Sequence, residues 1–336
     1  MAEDFVWRDG ERLIRFGEGA AAEAPELLAR HDFDGGYALL TTQRAAAAAP
    51  AVTAGAATVL HVPSGRVDEI AAALLPETPE LPLVALGGGR VVDTAKALAG
   101  ASGGRCAAVP TTLSGAEMTP FHRTPAGVEG ARLVRPALVV ADPDLMASGP
   151  LTLLAASGMN ALAHAMEALY TPLANPVTSM AALRAAELLA RGVPTDPPDR
   201  GALALGAVLA GYASGSTGIA VHHAVCQTIV RIAGSPHAET NAVMLPHSAR
   251  LMAHRAPAEL GELALALGDG SGDPEPAAAH LARLAARCGH TRLATLGVQE
   301  EQLPAVVAAA GRHPLLHNAP DPPGEQELLT LLREAL

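Results

Sequence analysis

Asn160 and His164 stand four residues apart in the apolar run Gly158–His164, so a helix there projects both side chains from one face. Further on, His222-His223-Ala224-Val225-Cys226-Gln227 opens another helical stretch. After a break at Gly234-Ser235-Pro236 come His237-Ala238-Glu239 and then Pro246-His247. Imidazoles gathered near helix ends in this way can hold a metal ion or move a proton. Both roles require that they meet in one cleft.

A second set of residues could hold an anion. The run PLVAL (Pro82–Leu86) reads as a strand and passes through Gly87-Gly88-Gly89-Arg90 into VVDTAK (Val91–Lys96), which reads as a helix. Successive glycines let backbone approach a ligand closely, and the unpaired N–H groups of a helix N-terminus favour a phosphate. The dinucleotide fingerprint GxGxxG is absent, because Val92 occupies its last place. Asp93 favours the positive end of the helix. A second strand end, Ala107-Ala108-Val109, runs into PTTLSGAEMT (Pro110–Thr119), whose hydroxyls on Thr111, Thr112 and Ser114 cluster where a parallel sheet exposes its carboxyl ends. Lys96 is the one lysine among 23 basic residues. An ammonium is a compact point charge and a guanidinium a planar fork, so this lysine marks a place where only the point charge fits.

Positioning both sets requires two kinds of architecture. Strands are expected at Leu13–Phe16, Gly36–Thr42, Ala57–Val62, Pro82–Leu86, Cys106–Val109 and Ala137–Ala141, with helices at Ala21–Arg30, Arg66–Leu75 and Val91–Ala99. Strands alternating with helices at this spacing predict βαβ units and a mostly parallel, Rossmann-like sheet. The Ala-rich stretch Ala45–Ala57 reads as a helix end plus loop. From Leu151 onward the period is helical, with breaks at Pro172, Pro176, Pro194–Pro198, Gly234–Pro236, Pro257, Gly268–Pro276 and Pro320–Pro323. The expected organisation is an α/β domain over 1–148 and an all-α domain over 149–336.

Composition narrows the partners. The chain has 336 residues and a formal net charge of −11 with no basic run, which argues against nucleic acid or an anionic membrane as a partner. Apolar stretches are cut by Gly, Pro or His well short of the ~18–20 residues of a bilayer span. Cys106, Cys226 and Cys288 are too few and too scattered for a disulfide framework or a structural zinc site. Met1 to Arg15 has no apolar secretory segment, so a cytoplasmic location is expected.

Five motifs, in order and spacing, resemble the iron-containing, group III alcohol dehydrogenase superfamily and more narrowly its maleylacetate reductase branch. They are GGGRVVDTAK (Gly87–Lys96), PTTLSGAEMTP (Pro110–Pro120), GMNALAHAMEALY (Gly158–Tyr170), HHAVCQ (His222–Gln227) and SPHAETNAVMLPH (Ser235–His247). The resemblance implies a dehydroquinate synthase-like, iron-containing alcohol dehydrogenase fold in an enzyme that is usually a homodimer. It implies NADH or NADPH lying between the two domains, on Gly88, Gly89, Arg90 and Asp93, with Thr42, Thr111, Thr112 and Ser114 beside it. It also implies that Lys96 points into the same cleft as a catalytic residue. Metal-dependent members carry an Asp and three His as ligands; here the Asp position is Asn160, followed by His164, His223 and His237. A neutral amide is a poor partner for a hard divalent ion, so no metal is expected.

The chemistry implied is reduction of a small conjugated enone or keto acid by hydride transfer. His223 or His237 supplies a proton, His164 and Asn160 orient the substrate, and His222, Arg123 and Gln227 bind its polar groups. Several positions depart from the branch: Arg90 replaces the usual Ser, the strand end Thr41-Thr42-Gln43-Arg44 lacks an acidic residue for the adenosine ribose, and Ala224, Gln227 and Arg231 rebuild the substrate pocket. Two alternatives stay open here. One is a metal-dependent alcohol dehydrogenase or aldehyde reductase, and the other is a scaffold turned to a non-redox step.

Overall fold

A computed structural model describes residues 3–193 and 195–336. Pro194, at the head of the expected Pro194–Pro198 break, lies outside the described residues, as do Met1 and Ala2. The chain divides into two compact units, Met1–Ser148 and Gly149–Leu336.

The first unit runs β1 (Phe5–Asp9), β2 (Arg12–Phe16), α1 (Ala20–Leu28), β3 (Ala38–Thr41), α2 (Gln43–Ala48), α3 (Pro50–Ala54), β4 (Thr58–His61), α4 (Val67–Leu74), β5 (Leu83–Gly87), α5 (Gly89–Ser102), β6 (Cys106–Pro110), β7 (Leu138–Ala141) and α6 (Pro143–Met146). Its seven-stranded sheet has the order β1-β2-β7-β6-β5-β3-β4, parallel throughout except where β1 pairs antiparallel with β2. Successive strand residues point to opposite faces. Leu40, Leu83, Ala85 and Ala108 therefore pack with Ile70 of α4 and Val92 of α5. Their neighbours Leu39, Val84, Leu86 and Val109 pack on the other face with Ala24 and Leu28 of α1. Helices on both faces explain why these strands read as unbroken apolar runs.

Two local features differ from the sequence expectation. Ala45–Ala57 forms two short helices, α2 and α3, where a helix end and loop were expected. The strand β1 was not expected at all. It is an edge strand whose Val6 and Arg8 face solvent while Phe5 and Trp7 turn inward.

The chain leaves β3 for β4 on one side and returns past β3 to β5 on the other. That reversal makes the carboxyl ends of β3 and β5 the crevice in which open α/β sheets bind ligands.

The second unit is helical: α7 (Leu151–Tyr170), α8 (Pro176–Gly192), α9 (Arg200–Thr217), α10 (Val221–Ala233), α11 (His237–Ala253), α12 (Pro257–Ala266), α13 (Glu275–Ala285), α14 (Leu303–Ala310) and α15 (Glu325–Ala335). Asn175 starts α8 by accepting from the backbone N–H groups of Val177 and Thr178, with Pro176 at the first helical position. Between α9 and α10 the chain bends by 100°. Gly218, at φ +89°, supplies that bend because a side chain there would be strained. The bend aims the first turn of α10 at α7.

Candidate functional site

In the first unit the loops after β3, β5 and β6 all leave the carboxyl edge of the sheet. The backbone N–H of Thr111 donates to the carbonyl of Gly87 at 3.0 Å and ties the β6 loop to the β5 turn. Gly88 precedes α5 and Gly89 is its first residue. A Cβ on Gly88 would stand 2.9 Å from Thr112 Cγ2, and one on Gly89 2.9 Å from Ser114 Oγ. The glycines thus let the hydroxyl loop close onto the helix N-terminus. The Thr112 hydroxyl is buried without a hydrogen-bond partner there. Arg90 is exposed at the second position of α5, an unfavourable place for a cation unless an anion joins it. Thr42 caps α2, its hydroxyl accepting from the Ala45 N–H at 3.3 Å.

Lys96 does not face a cleft, contrary to the expectation above. It is wholly buried, and its ammonium lies 2.8 Å from the carbonyl of Ala116, 3.2 Å from that of Thr119, 2.6 Å from that of Phe121 and 2.8 Å from Asp93 Oδ1. A point charge can gather converging carbonyls in a way a planar guanidinium cannot. Lys96 is a staple that holds the hydroxyl loop on α5. Beside it Glu117 is buried with neither carboxyl oxygen partnered, and burial pushes its pKa up to about 7. Arg123 is exposed in the segment that follows, near Asp68 at the start of α4, where it adds to Arg66 in lowering the Asp68 carboxyl.

In the second unit Asn160, His164 and Glu167 share one face of α7, since they lie at spacings of four and three. The ring of His164 stacks on that of His223, with centroids 4.3 Å apart and planes 17° from parallel. Glu167 Oε1 accepts the backbone N–H groups of His222 at 2.7 Å and His223 at 3.3 Å, and Oε2 lies 2.6 Å from His223 Nδ1. Burial holds His223 down to about 3, with a further push from His237, and holds His164 well below its ordinary value. Burial raises the Glu167 carboxyl, against the pull of the neighbouring imidazoles and backbone N–H groups. Asn160 Oδ1, His164 Nδ1 and His223 Nε2 are buried and have no hydrogen-bond partner. Buried polar atoms are otherwise nearly always paired, so these three mark a candidate ligand face.

His222 does not join that face, and its expected role in substrate binding is corrected. It is fully buried, and its ring nitrogens lie 2.9 Å from Ser248 Oγ and 3.0 Å from Asn241 Oδ1. Adjacent residues on a helix point in different directions, so only one of His222 and His223 can face the ligand. Asn241 in turn donates to the carbonyl of His237 at 2.7 Å, which links His222 to the first turn of α11. His237 itself is exposed at the head of that helix, and Gln227 is half-buried one turn beyond His223. Glu167, Asn241 and Ser248 are the functional neighbours that sequence reasoning missed. The spacing of Glu167 from His164 was the available signal.

The donor set does not suit iron. Its members are one amide and imidazoles, and the nearest carboxylate, Glu167, has both oxygens engaged by α10. Among the described residues no group of three or more His, Cys, Asp or Glu side chains is arranged to hold a metal ion.

Residues 154–336 match the family model of the Fe-containing alcohol dehydrogenase family, C-terminal part, and residues 15–150 match that of iron-containing alcohol dehydrogenase. The maleylacetate reductase of Sphingobium indicum is 37% identical over 83% of this chain and 80% of its own length. That of Pseudomonas knackmussii is 33% identical over 96% of this chain and 95% of its own. The crystal structure of maleylacetate reductase from Rhizobium sp. superposes with a TM-score of 0.83 at 30% identity, covering 100% of this chain and 99% of that one. The chain therefore belongs to the iron-containing alcohol dehydrogenase family, on its maleylacetate reductase branch, and is an oxidoreductase.

Proposed function

We propose that this chain reduces the carbon–carbon double bond of a small conjugated keto acid of the maleylacetate type, with NADH or NADPH as reductant and without a metal ion. The observation that carries this reading is the neutral, buried face formed by Asn160 Oδ1, His164 Nδ1 and His223 Nε2. Asn160 stands where metal-dependent relatives carry a carboxylate, and a face without an anion suits an organic substrate better than a divalent ion. When bound, the reduced nicotinamide supplies the hydride for the alkene carbon β to the ketone.

The chain's own residues do the rest. The glycine turn at Gly88 and Gly89, with the head of α5, holds the pyrophosphate through backbone N–H groups, and Arg90 adds a cation. Asp93, Thr42, Thr111, Thr112 and Ser114 shape that seat. On the substrate, the electron pair displaced by hydride moves to the ketone oxygen as an enolate, and a proton added at the α carbon completes the saturated ketone. His223 or His237 provides that proton, while His164 and Asn160 orient the substrate. Gln227 and Arg123 are the groups we assign to its carboxylates. The working form we propose is a cytoplasmic homodimer that acts on a free small molecule. The net charge of −11 supports independence from nucleic acid and anionic membranes.

Calorimetric titration of chelator-treated protein with NADPH and then NADH tests the reading. Binding of either without metal is the expected result. Failure of both to bind would overturn it in favour of a non-redox role.

A further inference from the structure

Glu167 is a buried acid for which the proposed chemistry has no task. It is wholly inaccessible, yet it sits at the start of α10 with every acceptor contact drawn from one turn. The N–H groups of His222 and His223 belong to the first turn of that helix, where no intrahelical carbonyl is available to them. Both donate to Oε1. Burial raises the Glu167 carboxyl, but two backbone donors and the positive end of a helix oppose that, fix Oε1 as an acceptor and leave Oε2 2.6 Å from the ring of His223.

We infer that Glu167 is a positioning residue that fixes His223 as its Nδ1–H tautomer, so that the buried Nε2 meets the ligand as a hydrogen-bond acceptor. The inference rests on the proposed function and sharpens it. An imidazole whose Nε2 carries no proton cannot be the proton source, so delivery to the substrate carbon falls to His237 at the head of α11. The stacked ring of His164 keeps the plane of His223 fixed from the other side. Second-layer carboxylates that set an imidazole's tautomer act in this way in catalytic triads.

The test reads the ring itself. Histidine-labelled protein is examined by long-range nitrogen–proton NMR correlation, and the His223 signals are assigned by their loss in His223→Gln. The expected wild-type pattern has Nδ1 protonated and Nε2 bare. In Glu167→Gln the amide oxygen still accepts from α10 while the amide N–H₂ faces Nδ1, so the ring proton should move to Nε2. Turnover with maleylacetate should then fall roughly 10²–10⁴-fold with KM little changed, since substrate contacts remain while the tautomer is wrong. A wild-type ring protonated at Nε2 overturns the inference, as does a Glu167→Gln ring still protonated at Nδ1. Should Glu167→Gln not fold, the wild-type ring decides alone. The NMR pattern needs no substrate, so a chain inert toward maleylacetate would count against the proposed function and not against this tautomer.

Discussion

The imidazoles of His164 and His223 lie nearly parallel, 4.3 Å between centroids, and both are held neutral by burial. Stacked rings at this distance cannot both carry a proton's charge in a low-dielectric interior. The pair is therefore neutral.

Stability should depend on pH in two opposed ways. His222 and His223 titrate near about 3 when folded against an unfolded value of 6.5, so their contribution is full above 6.5 and is lost as pH falls toward about 3. Glu117 runs the other way: its folded value of about 7 exceeds 4.5, so its contribution is full below 4.5 and is lost as pH rises through about 7. Denaturant midpoints measured from pH 4 to pH 9 should pass through a maximum. Glu117→Gln should reduce the decline on the alkaline side, to which the raised Glu167 carboxyl also contributes, and an unchanged alkaline limb in that variant would contradict the assignment.

Lys96→Met should destabilise the chain by about 1–3 kcal/mol, the cost of leaving buried carbonyls without their donor. The same variant should weaken nucleotide binding, because the hydroxyl loop loses its anchor at Ala116, Thr119 and Phe121. Urea melts and calorimetry check the two effects. A loss of activity with both unchanged would instead return Lys96 to the chemistry.

The contrast between what the sequence revealed and what it hid has physical causes. Strands such as Leu83–Gly87 and Cys106–Pro110 were legible because both their faces are buried, which leaves an unbroken apolar run. Phe5–Asp9 was hidden because its apolar run, Phe5-Val6-Trp7, is short and lies between charged Asp4 and Arg8-Asp9. Asn160, His164 and His223 were legible as types at a spacing. The division of labour between His222 and His223 was not, because it depends on Glu167, which contacts residues 55 and 56 positions away. Lys96 was singled out correctly as unusual and assigned wrongly to a cleft, since its partners lie 20 to 25 residues further on.

Gly89→Ala should reduce nucleotide affinity about tenfold or more while costing about 1–3 kcal/mol of stability. Its new methyl would meet Ser114 Oγ at 2.9 Å and push the hydroxyl loop from the head of α5. Gly89→Ala combined with Ser114→Gly should recover part of the stability loss. Calorimetric affinities that match those of the parent would show that the nucleotide sits elsewhere.

Asn160→Asp restores an anionic oxygen to a set that has imidazoles in place. After dialysis against iron or zinc, this variant should retain a stoichiometric metal that the parent does not, as read by elemental analysis. Equal retention by both proteins would contradict the account of why the donor set is neutral.

Turnover of maleylacetate by chelator-treated protein decides whether the reduction of a conjugated keto acid is metal-independent. NADH or NADPH should be oxidised in step with loss of substrate, at a rate that added iron or zinc leaves unchanged. Turnover that appears only after metal is returned would contradict metal independence.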